Sequence, residues 1–156
     1  MIYEIYKKIK KRLRKMAGTP VRHVGLWNRN IEFAEEENWE RPAVFIEFEA
    51  VKWECVDPGY EYHATPRIVL HIVTDWYDTE EPEEPEPIPV EFGLPERIHG
   101  ALCGLSGDCF CDLDLEESHT NHDHDELLES IEIYSCDASR ILGEAPGDKQ
   151  DSGDEG

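Results

Sequence analysis

The densest set of side chains able to hold a metal ion is His119, His122, Asp123, His124 and Asp125. Imidazole nitrogens and carboxylate oxygens suit zinc or another first-row divalent ion, and Cys109 and Cys111 could join them. The spacing Cys103-x5-Cys109-x-Cys111, however, matches none of the usual paired-knuckle patterns, and the histidines fall in a polar loop. A solvated loop is therefore the expectation, with His119, His122 and His124 as candidate ligands and no cofactor assigned. Thiol catalysis would need a cysteine whose pKa is lowered by a basic neighbour or a helix amino terminus. All five cysteines lie among acidic or apolar residues instead. The nearest approach to a dyad is Cys109 or Cys111 with His119. Carboxylate pairs occur throughout so acidic a chain that none marks a general acid or base, and the sequence is read as that of a protein that is not an enzyme.

Trp27, Trp39, Trp53 and Trp76 could stack on bases, but an acidic body without interleaved Lys and Arg makes a poor nucleic-acid surface. They are read as packing or subunit-interface anchors, with Trp53 and Trp76 closing the two central strands. Charge points the same way. The chain carries a net −21, yet residues 1–22 hold eight of the fifteen Lys and Arg and only one acid, Glu4. That segment is +7 and the remainder −28. A basic arm on an acidic body favours self-association or a partner of opposite sign, and disfavours nucleic acid and acidic membranes.

A chain of 156 residues is one domain by the usual prior. Five cysteines are an odd number, and the charged start does not read as a signal peptide, so the thiols are expected to be reduced in a cytosol. No stretch approaches the roughly 20 apolar residues of a membrane-spanning helix.

The elements that must position these groups centre on two apolar runs, Ala43–Trp53 and Pro66–Trp76. Val44, Ile46, Phe48 and Ala50 share one strand face and Glu47 and Glu49 the other, which predicts one dry and one wet face. Ile68, Leu70 and Ile72 form the apolar side of the second run. Asp57-Pro58-Gly59 is a turn signal, and so short a connection makes the pair antiparallel. Ile2, Ile5, Ile9, Leu13 and Met16 recur at helical spacing ahead of Gly18 and Pro20, with basic residues around that stripe. A membrane-surface or nucleic-acid helix is the sharper reading, and packing on the sheet the expected one. A short strand is expected around Val21–Trp27. Residues 78–89 read as an extended solvated Glu-Pro loop. A second helix is expected to begin at Pro95, with Ile98, Ala101, Leu102 and Leu105 on its apolar face and Gly104 and Gly107 at its end. Phe110–Glu116 and Leu127–Cys136 predict a second hairpin joined by the polar loop Ser118–Asp125, with Ile131, Ile133 and Ser135 opposite Glu132 and Tyr134. The fold class is thus α+β: an antiparallel sheet of about four to five strands, with an N-terminal amphipathic helix and a second helix packed on one face. The domain spans residues 1–142, and 143–156 form a disordered acidic tail.

This order of elements resembles the tail terminator or tail completion (head–tail joining) proteins of long-tailed bacteriophages. The likeness is carried by the helix Met1–Ala17, the strands Pro42–Phe48 and Ile68–Asp75, the helix Glu96–Leu102 and the closing strand Ile131–Tyr134. It implies a structural virion protein, made in the host bacterial cytoplasm. Its subunits would form a ring, commonly of six, that caps the tail tube, joins the head connector and passes DNA through its lumen without specific binding. The long Glu-Pro loop and acidic terminus depart from that pattern. In this reading Lys7, Lys8, Lys11 and Lys15 face Glu80, Glu81, Glu83 and Glu84 of a neighbour or tube partner. A small metal-binding protein using His119–Asp125 and an acidic adaptor or inhibitor remain as alternatives.

Overall fold

Seven consecutive residues, Ile68 to Thr74, are buried in strand β5 (Arg67–Asp75), and the sheet is laid out to either side of them. The computed structural model describes residues 1–28, 30, 38–75, 90–121 and 126–143, with the backbone alone for 90–92. On one edge of β5 runs β2 (Ala43–Phe48), antiparallel, in register from Ala43↔Val73 to Phe48↔Ile68. The expected hairpin therefore forms, but its strands are broken. Pairing lapses after Phe48 and resumes as β3 (Glu54–Asp57) against β4 (Glu61–Ala64). Pro66, which has no N–H for a ladder, separates β4 from β5. The turn has Tyr60 N donating to the Asp57 carbonyl at 2.9 Å, with Gly59 at φ 73°, a backbone region that glycine enters without strain.

The other edge of β5 carries β7 (Leu127–Ile141), whose last four residues continue along β4. The far edge of β7 pairs with β6 (Phe110–Asn121). The second hairpin is thus part of the same sheet, which has seven strands among the described residues rather than four to five. β1 (His23–Leu26) lies outside β2 and parallel to it, so the sheet is mostly antiparallel. A parallel neighbour needs a long return connection, and residues 27–42 supply it.

The two helices among the described residues contribute to one core on one face. Ile5, Ile9 and Leu13 of α1 (Ile2–Arg14) and Leu94, Ile98 and Leu102 of α2 (Val90–Leu102) cluster with Val44, Ile46, Ile68, Leu70, Ile72 and Tyr134. Each large aliphatic side chain buried there contributes about 1.5–3 kcal/mol. The α1 stripe is covered only through its centre, because Ile2 is 43% exposed. α2 begins five residues earlier than expected, with Pro95 inside it. The ring removes one amide donor, and burial of Leu94, Ile98 and Leu102 outweighs that loss. Leu105 lies beyond the helix and bridges to Leu113. Glu4 ties α1 to the following turn by accepting from the amides of Asp108 and Cys109 and from the Cys109 thiol. Gly107 is required there, since a Cβ would sit 2.1 Å from Glu4 Oε1 and 2.7 Å from Phe110 Cε1.

Two face assignments need correction. Tyr134 and Glu132 point toward the helices: Tyr134 is fully buried in the main core, and Glu132, 8% exposed, accepts from Ser118 Oγ. The face expected to be wet is covered near β1, where Trp39, Ala43, Phe45 and Val73 form a second cluster, flanked by Trp27 and Leu127. Strands buried on both sides do not show clean alternation.

Candidate functional site: an imidazole between two carboxylates and a basic helix face

The period of two places Glu47 of β2, His71 of β5 and Glu129 of β7 on the sheet face that bears the second cluster. His71 Nδ1 lies 2.9 Å from Glu129 Oε2, and Nε2 lies 2.8 Å from Glu47 Oε2. Where both carboxylates are ionised they only accept, so both ring nitrogens donate and the ring stands as an imidazolium between two carboxylates. Asn121 Nδ2 of β6 donates to Glu129 Oε1 at 2.9 Å, extending the row across four strands. Trp27 stacks on the imidazole with centroids 3.7 Å apart and planes within 5°. The His71 and Glu129 side chains are 8% and 4% exposed, whereas Glu47 is 41% exposed. The arrangement cross-braces the sheet and holds a proton out of bulk solvent. On the same face, the nitrogens of Arg67 bond Glu49, Glu116 and Glu117 at 3.1–3.2 Å.

The second feature is the outer face of α1. Burial of Ile5, Ile9 and Leu13 turns Lys7, Lys11, Arg14 and Lys15 to solvent and leaves Lys8 and Lys10 partly covered. With Tyr3, Glu4 and Asp108 they line a shallow depression of about 660 Å³. Among the described residues, none of the five lysines forms an ion pair within 4 Å. Lys7 Nζ instead sits 5.0 Å over the Tyr3 ring and Lys10 Nζ 5.7 Å over Tyr6. Arg12 caps a different element, donating to the Ala101 carbonyl at 3.1 Å.

Lys7, Lys8, Lys11 and Lys15 are thus brought together. Trp53 lies between β2 and β3, half-buried, with the Arg140 guanidinium carbon 4.3 Å from its ring centroid. Trp76, Glu80, Glu81, Glu83, Glu84, His122, His124 and the tail beyond Gly143 lie outside the described residues. His119 belongs to β6 and not to a loop; it is exposed, and its Nε2 is 3.6 Å from Glu117 Oε2. The thiols are shifted away from reactivity: the Asp114 charge raises the Cys103 pKa, desolvation raises Cys109 and Cys111, and burial pushes Cys136 up to about 12. All five are free.

No protein-family model matches the sequence, and a search of curated proteins finds no match. No helix among the described residues is long and apolar enough to cross a membrane. The His71 row escaped sequence reasoning although His71 stands conspicuously alone in an apolar strand. The acids that meet it come from β2 and β7, and only strand register brings them together.

Proposed function

We propose that the chain is a structural assembly protein of the tail terminator or tail completion type, a virion component made in the bacterial cytoplasm. Its subunits form a ring, commonly of six in that family, on the end of a phage tail tube and join it to the head connector. The observation that carries this reading is the α1 surface: a cluster of cations held outward by a buried apolar stripe, none of its lysines in an ion pair within 4 Å among the described residues, on a chain of net charge −21. Such a face is suited to heterologous contact with the acidic surface of a neighbour, which is how a ring closes. The broad sheet supports the same role, because its register is pinned from β1 to β6 and it can present fixed edges and faces to neighbours. An acidic lumen would keep duplex DNA from adhering to the wall.

The test is oligomer mass and tail-tube capping at low and moderate salt, for the wild type and for Lys7, Lys8, Lys11 and Lys15 all replaced by Glu. Exposed pairs contribute about 0–1 kcal/mol each, so the effect is cumulative and salt-dependent. The fourfold variant is expected to fold and to lose assembly. Undiminished assembly and capping by the variant would refute the basic interface, and a wild type that associates neither with itself nor with a tube would refute the terminator reading.

A further inference from the structure

At the seam between α2 and β6, His99, Cys103 and Asp114 bring a nitrogen, a sulfur and a carboxylate oxygen within 4.8 Å of one another. His99 and Cys103 stand four residues apart, so they share one side of the helix end. Asp114 arrives beside an irregularity in the β6 pairing between Cys111 and Asp114. His99 Nε2 donates to Asp114 Oδ1 at 2.9 Å, and the Cys103 sulfur lies within 4.8 Å of the same carboxylate. His99 is half-buried, while Cys103 and Asp114 are open to solvent.

An independent observation points to a ligand. The Tyr134 ring meets His99 edge-on, with centroids 6.1 Å apart. Tyr134 is fully buried, and its hydroxyl has no hydrogen-bond partner among the described residues. A buried hydroxyl left unpaired is costly, and a ligand reaching it would offset that cost.

We propose that His99, Cys103 and Asp114 are three ligands of a zinc-type divalent metal ion, with the Tyr134 ring packed edge-on against the His99 imidazole. The mixed nitrogen, sulfur and oxygen set suits zinc or cobalt and does not suit magnesium or calcium. Bonds of about 2.0–2.3 Å in tetrahedral geometry put ligand atoms roughly 3.3–3.7 Å apart, so small side-chain rotations close the site. Binding at Nε2 moves the imidazole proton to Nδ1 and releases the thiol proton to solvent. The site shares no residue with the His119–Asp125 segment, and it stands independently of ring assembly.

The test uses the full chain, purified without an affinity tag, stripped with chelator and titrated with Co²⁺. One ion per chain is expected, with thiolate-to-cobalt charge-transfer absorption and the strong visible bands of four-coordinate cobalt. Cys103→Ser, at an exposed position, should abolish the charge-transfer band while circular dichroism stays unchanged. His99→Ala and Asp114→Asn should weaken binding by about 100-fold or more. A folded wild type without a saturable band would overturn the proposal, as would a band that survives Cys103→Ser. Loss of the band in Cys111→Ser instead would assign the ion to Cys111, Asp112 and Asp137 and overturn it equally.

Discussion

Replacing His71 with Ala tests the physical account of the second sheet face most directly. The substitution removes the cation between two carboxylates, and the two losses are unequal. Glu47 is 41% exposed, so water can replace the imidazole, and that side contributes about 0–1 kcal/mol. Glu129 is 4% exposed and keeps its 2.9 Å bond from Asn121 but loses the bond from the His71 ring. Stranding a buried charge costs about 3–5 kcal/mol, and the retained Asn121 bond places the expectation at the lower end, near 3 kcal/mol. Loss of the stacked contact with Trp27 adds about 0.5–1.5 kcal/mol. Urea unfolding followed by circular dichroism and tryptophan fluorescence should therefore show His71→Ala destabilised by roughly 3.5–5.5 kcal/mol. Glu47→Gln should cost about 1 kcal/mol or less. In the double-mutant cycle, His71 and Glu129 should couple by about 2 kcal/mol or more, and His71 and Glu47 by much less. A cost below about 1 kcal/mol for His71→Ala, or equal coupling to both acids, would refute the unequal-burial reasoning.

Two further outcomes follow from α1. Ile9→Asp or Leu13→Asp places a charge at a fully buried position and should destabilise the domain by about 2 kcal/mol or more in thermal or urea unfolding; unchanged stability would make the helix a free arm. The hydrogen bond from the Cys109 thiol, aided by the amides of Asp108 and Cys109, holds the Glu4 pKa below its ordinary 4.5. Its stabilising contribution is thus complete above 4.5 and is lost as pH falls through the lower folded value. Glu4→Gln should flatten stability across that acidic window, and identical pH profiles for variant and wild type would show that Glu4 does not anchor the turn.

Much of the fold was legible because it rests on local pattern. The three- and four-residue spacing of Ile5, Ile9 and Leu13 specifies which side of α1 is buried, and therefore which side carries the lysines. Asp57-Pro58-Gly59 specifies a tight turn, and with it the antiparallel pairing of the strands on either side. The β-branched run Ile68–Thr74 announces a strand with Ile68, Leu70 and Ile72 on its apolar side, but not that its other face is buried as well.

What the tertiary structure decided is everything that depends on neighbours distant in sequence. Alternation in β2 says that Phe45 and Glu47 share a face, but not that Trp27 and Trp39 will cover part of it. In β7 the pattern Ile131, Glu132, Ile133, Tyr134 suggests the aliphatic side as the inner one. The helices cover the other side, and Tyr134 supplies the bulk that fills the core there. His99 and Cys103 are visible as a helical pair, but Asp114 joins them only because β6 folds back against α2. Period determines which side chains stand together on an element; which elements meet is set by burying the most apolar area at once, a property of the whole chain.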